Sequence, residues 1–203
     1  MTSDIIRVNA NGKGIREALE QVVALTAFRG LPAKERLHIR LLAEELMGLL
    51  RGLTGEVEAE FRVEDKNGEF VLSLFTHTLM NNEKRKKLIE SSTSGKNSAA
   101  SGIIGKLRDI IETVTEPVDD CNLVIDTLGW MDGDVDYISG CATWSLLQYK
   151  QNVEQKKLAE EWDELERSIV ANIADEVKVF IKGDTVEMLI YKKTKGGTNN
   201  ADK

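Results

Sequence analysis

The chain is poor in the residues that hold metals and disulfides, with two cysteines and two histidines among 203 residues. Cys121 and Cys141 stand far outside any CxxC or metal-ligand spacing, and His38 and His77 do not complete such a set. This argues against a zinc site and for free, reduced thiols. Basic residues are also in deficit, since 27 Lys and Arg against 34 Asp and Glu leave a formal net charge of −7. A surface built to hold nucleic-acid phosphates is therefore not expected, and the cluster Lys84-Arg85-Lys86-Lys87 reads as a solvated face. No apolar run approaches the length of a membrane span, and the opening MTSDIIRVNANGKG lacks the basic-then-apolar layout of a signal peptide. Together these absences predict a cytoplasmic protein that binds neither nucleic acid nor membrane.

What is present is an ordinary globular composition, 41% hydrophobic and 30% charged. It is enough for one large domain, or a medium one with an appendage. The chain is organised around Leu37 to Leu50. Ile39, Leu42, Leu46, Leu49, Leu50 and Leu53 recur at steps of three and four, the period of a helix packed on a core. Leu37, Leu41, Glu44 and Gly48 form a second row on roughly the opposite side. That second row predicts a helix buried between two layers, with an acidic side chain entering from one edge.

Around this helix, Asp4 to Val8 reads as a first strand and Ile15 to about Ala27 as a helix, with Gly30 as cap and Pro32 opening the next helix. Val57 to Val63 and Glu69 to Phe75 alternate with period two about Lys66-Asn67-Gly68, the pattern of a hairpin with one buried face. Residues 81–101 are small, polar and basic and read as a long binding loop, lid or disordered insertion. A helix is expected at Ile103 to Val114. Strands are expected at Val135 to Ile138 and Ala142 to Tyr149. From Gln151 to Ala174 a charged helix carries Leu158, Trp162, Leu165, Ile169 and Ile173 on one stripe. Val177 to Ile181 and Val186 to Ile190 form a last hairpin, and Thr194 to Lys203 reads as a disordered tail. Trp130, Trp144 and Trp162 read as core or interface anchors.

The expected fold is α+β: a mixed, mostly antiparallel sheet with helices on one face over residues 1–150, then a helix and β-hairpin appendage over 151–193. The appended stripe folds back on the first domain or pairs with its copy in a homodimer.

This order of elements resembles the ATP-binding domain shared by histidine kinases, gyrase-type ATPases and anti-sigma-factor serine kinases. The resemblance covers about Asp4 to Lys150 and rests on Ala18 to Phe75. The stretch ALEQVVALTAFRGLPAKERLHIRLLAEELMGLL looks like the paired helices of the anti-sigma kinases, in which a Glu is followed four residues later by a magnesium-binding Asn. Residues four apart stack on one helix face and can meet one ligand. Glu44 takes the place of the catalytic Glu, and Gly48 stands where the Asn belongs. The family's Asp-x-Gly-x-Gly adenine turn has no counterpart in Phe75-Thr76-His77-Thr78-Leu79-Met80. Its glycine-rich lid survives in part as Ser101-Gly102-Ile103-Ile104-Gly105-Lys106.

The resemblance thus implies Glu44 as base, with Gly48, His77, Lys96, Gly102, Gly105 and Lys106 around a nucleotide, and no protein ligand for the metal. Gly95-Lys96-Asn97-Ser98 is not a P-loop, since Glu90 stands where that motif needs its first glycine. Three functions follow as expectations. The first is a non-catalytic regulatory or scaffold protein that binds another protein, such as a transcription or signalling regulator. The second is an ATP- and magnesium-dependent serine kinase of the anti-sigma type. The third is an assembly module with no nucleotide pocket.

Overall fold

The computed structural model describes residues 1–52, 58–77, 135–138, 141–158, 161, 165–166, 168–182 and 185–195. In chain order these form β1 (Ile6–Asn9), α1 (Ile15–Phe28), α2 (Ala33–Gly52), β2 (Glu58–Lys66), β3 (Glu69–His77), β4 (Val135–Ile138), β5 (Cys141–Ser145), α3 (Leu146–Lys156), α4 (Ile169–Ile173), β6 (Glu176–Lys182) and β7 (Thr185–Lys193). The expected helix at 103–114 and loop at 81–101 lie outside the described residues, as do Trp130, Trp162 and Cys121.

The architecture is α+β. Seven strands form one sheet in the order β1-β2-β3-β7-β6-β5-β4, and every neighbouring pair is antiparallel. The expected parallel component is absent among the described strands. The hairpin expected in an appendage supplies two inner strands instead. β7 pairs with β3 along nine consecutive residues, from Glu69↔Lys193 to His77↔Thr185, so the C-terminal hairpin joins the N-terminal strands to β5 and β4. Its apolar residues dictate this. Val177, Val179, Ile181, Val186, Met188 and Ile190 are all buried in the common core, and a detached hairpin would leave that face in water.

Period-two alternation divides the sheet into two faces. Ile6, Val8, Phe61, Val63, Leu72, Leu74, Met188, Ile190, Val179 and Trp144 point into one core with Val22 and Leu25 of α1 and Ile39, Leu42, Ala43, Leu46, Met47 and Leu50 of α2. Each Val, Leu, Ile, Phe or Met among them contributes about 1.5–3 kcal/mol of burial. Tyr149 and Val153 of α3 and Val170 and Ala171 of α4 join the same cluster, with the Trp144 and Tyr149 rings 6.0 Å apart. The opposite face carries rows read directly from the register, Glu60-Phe75-Glu187-Phe180 and Arg62-Ser73-Leu189-Lys178.

Local chemistry sets several boundaries. Gly14 precedes α1 at φ +78°, and a Cβ there would lie 2.1 Å from the Arg7 carbonyl oxygen, so no other residue fits the approach of helix to strand. Asn67 at φ 56° and Gly68 at φ 92° form the two-residue turn between β2 and β3 that the Asn-Gly pair requires. Asp65 fastens this turn. Its carboxylate accepts from the Gly68 N–H at 2.8 Å and meets Arg29 Nε at 2.7 Å.

Two expected elements are corrected. The strand read from Ala142 to Tyr149 ends at Ser145, where the chain turns into α3. Ser145 is the N-cap, its Oγ accepting from the Gln148 N–H at 3.3 Å. The single helix read over Gln151 to Ala174 is not continuous, since Lys157 at φ 53° closes α3 and Ser168 caps the separate α4. Part of the expected tail is also engaged. The Thr194 N–H donates to the Gly68 carbonyl at 2.8 Å and the Lys195 N–H to Glu35 Oε1 at 3.2 Å.

Candidate functional site

On α2 the two sequence rows separate cleanly. Ile39, Leu42, Ala43, Leu46, Met47 and Leu50 are buried against α1, the sheet and α4. The second row faces away from them: Leu37 is 54% exposed, Glu44 is half-buried and Gly48 is exposed. Leu41 of the same row is half-buried. Among the described residues no second layer covers this row, and Arg40, Glu44 and Gly48 stack opposite the core-facing set.

Glu44 Oε1 accepts from Arg40 Nε at 2.9 Å, an i,i+4 ion pair with both side chains partly exposed. One turn further, a Cβ built on Gly48 would meet nothing within 4 Å, so none of the described residues requires a glycine there. Gly48 offers no side-chain donor, and the residues around Glu44 do not fit a magnesium ion. Among the described residues no group of three or more His, Cys, Asp or Glu is placed to hold a metal.

His77 ends β3 on the opposite side of the sheet from the helices, in the alternation register of Phe75. Its ring packs edge-on against Phe75 at 5.2 Å, and Nδ1 lies 3.4 Å from Thr185 Oγ1. The sheet and the body of α2 thus separate His77 from Glu44, and these two candidates are not brought together. Lys96, Gly102, Gly105 and Lys106 lie outside the described residues.

The structure also assembles a polar group that the sequence reading missed. Glu176 turns back over the start of α3, where its Oε1 accepts from the Leu147 N–H at 3.2 Å and the Val177 N–H at 2.8 Å. Its Oε2 accepts from Ser145 Oγ at 3.1 Å. Lys150, one turn into α3, donates from Nζ to the Ala171 carbonyl at 2.6 Å and so ties α3 to α4. Burial lowers the Lys150 pKa from its usual value, while Glu176 and Asp175 act in the opposite direction. A serine hydroxyl directed at a carboxylate is the start of a nucleophile–base pair. Here, however, both Glu176 oxygens are spent on the backbone and hydroxyl of a helix start, which is the chemistry of a cap. The sequence signal was Ser145 directly before the apolar Leu146, hidden by a run that also alternates as a strand.

No family model matches this chain, and no curated protein or solved structure matches it either. Among the described residues no helix is long and apolar enough to cross a membrane.

Proposed function

We propose that this chain is a non-catalytic regulatory or scaffold protein, built on a degenerate ATPase-type sandwich, that acts by binding another protein such as a transcription or signalling regulator. The observation that carries the reading is the outer row of α2. Glu44, the residue in the place of the family's base, is engaged by Arg40, and the ligand position one turn on is a glycine. A base that must take a proton from a bound hydroxyl works best desolvated and free of a competing guanidinium, whereas Glu44 is solvated and paired. The side of the sheet opposite the described helices adds support. Phe75, Phe180 and Leu189 lie among alternating charges there, a composition that suits a protein contact.

The kinase reading draws on the same row, since Glu44 and Gly48 share one open face with room beside the glycine. A thermal-shift titration with ATP and ADP, with and without magnesium, divides the two. A nucleotide at about a hundred times its dissociation constant would add roughly 2.7 kcal/mol to the stability of the native state. The expected result is an unchanged melting temperature under all four conditions. A magnesium-dependent rise accompanied by phosphotransfer that Glu44→Gln abolishes would replace this reading with the kinase.

A further inference from the structure

The outer row of α2 contains a glycine that none of the described residues explains. Gly48 lies inside a twenty-residue helix, away from its ends, where glycine weakens the helix relative to alanine. Its φ is not in the left-handed region, and a Cβ would meet nothing within 4 Å. Neither its backbone conformation nor packing by the described residues calls for it. The same row carries the opposite anomaly at Leu37, a large apolar side chain left 54% exposed. Leu37, Leu41, Glu44 and Gly48 are spaced four, three and four apart, the spacing of a seam between two packed helices.

We infer that this row is a homodimer seam, in which α2 packs antiparallel against α2 of a second copy of this chain. The self-complementarity of the row selects a second copy as the occupant. With the two-fold axis between Leu41 and Glu44, the exposed Leu37 of each copy falls opposite Gly48 of the other, a knob over a hole, twice in one contact. The same register sets Leu41 opposite Glu44 of the other copy. Arg40 lies on the flank of Glu44 in its own helix, at 2.9 Å, and reaches the flank of the other copy's Glu44 as well. Each carboxylate then sits between two guanidinium groups, so the ion pair is extended by docking rather than broken. A parallel arrangement would set Gly48 against Gly48 and Leu37 against Leu37, and would leave the hole unfilled. The seam lies on a different element from the 151–193 segment, where Leu165 and Ile173 pack on the chain's own core while Leu158 and Ile169 are exposed.

Sedimentation velocity on the full chain over a concentration series tests this inference. A reversible dimer is expected, with a dissociation constant in the micromolar range, on the order of 10 µM for a contact this small. Leu37→Lys and Gly48→Leu should each weaken it at least tenfold. Neither variant touches the core, so the monomer's circular dichroism should be preserved, with its melting temperature held in Leu37→Lys and raised in Gly48→Leu, since leucine is a better helix former than glycine. Gly48→Ala gives a signature of opposite signs: a higher melting temperature for the monomer, because the helix gains propensity, together with weaker association. A chain that stays monomeric throughout the series overturns the inference. So does a dimer indifferent to both Leu37→Lys and Gly48→Leu. The nucleotide titration reads the proposed function separately, so the two can fail independently. A Gly48→Leu variant that loses a nucleotide-induced shift while keeping its dimer would assign the open space to a ligand instead.

Discussion

Two arginine–carboxylate contacts of nearly equal length behave as different interactions. Arg29 meets Asp65 at 2.7 Å where the chain leaves α1 and the β2–β3 turn closes, and Arg40 meets Glu44 at 2.9 Å on the outer row of α2. The Asp65 side chain is 2% exposed and also holds the Gly68 N–H, so its charge is desolvated and fully hydrogen-bonded. The Glu44 side chain is 39% exposed, and water competes for it continuously. Breaking the first pair leaves a partly buried guanidinium and an orphaned turn N–H, while breaking the second returns two groups to solvent. The acidic residue at the centre of the sequence is therefore the weaker one. The stronger sits in a hairpin whose pattern made it look like an ordinary turn.

The sharpest way to break this comparison is Asp65→Ala. It should cost about 3 kcal/mol, read as a lower urea midpoint with an unchanged slope. A loss below about 1 kcal/mol would place the Asp65 pair in the solvated class.

Lys150→Met is expected to fall between the two, at about 1 kcal/mol near neutral pH, for the lost hydrogen bond to the Ala171 carbonyl. It also changes the alkaline limb of stability. Burial lowers the Lys150 pKa in the folded chain, so between that lowered value and 10.5 the unfolded chain holds more protons and stability rises with pH. Burial raises the Tyr191 pKa above 10.0, with Lys66 opposing and Glu69, Glu187 and Glu176 reinforcing. The unfolded chain therefore ionises first there, and stability falls from about pH 10 upward. Urea titrations across this range should show the rise in the parent chain, while Lys150→Met loses the rise and keeps the fall.

The smallest effect belongs to Glu44→Gln, at most about 0.5 kcal/mol as expected for an exposed i,i+4 pair. The same urea titration measures it, and a loss comparable to that of Asp65→Ala would erase the distinction between the two pairs.

Local periodicity made much of the fold legible. The α1 and α2 helices, the β2–β3 hairpin with its Asn67-Gly68 turn, and the two strands of the last hairpin all follow from patterns within a few residues. The sheet order did not. Nothing local to Val186–Ile190 says that it pairs with Leu72 and Leu74 more than a hundred residues earlier, because the apolar face of a strand specifies that it is covered but not by which neighbour. The helix start at Leu146 was obscured for a related reason. Ala142 to Tyr149 alternates acceptably as a strand, and the cap that ends it draws on Glu176, thirty residues on in the chain. At the candidate site, the stacking of Glu44 over Gly48 was readable from spacing. The side of α2 that meets solvent was not, since Leu37 and Leu41 make the outer row look as apolar as an inner one. The same holds for His77: alternation puts it with Phe75, but which face of the sheet the helices cover is decided by the assembled core.

The inner position of the last hairpin has a consequence for how the chain reaches its native state. During synthesis β3 emerges with β2 on one side and an unsatisfied row of backbone donors and acceptors on the other. It stays that way while more than a hundred further residues are made, since its partner on that side, β7, comes last in chain order. The β1–β2–β3 unit with its two helices can gather early, but the β4–β5 strands have no sheet to join until the hairpin that bridges them arrives. Closure is therefore a single late event in which two half-sheets become one. Until the last hairpin arrives, the nascent chain carries an open strand edge that other chains can reach.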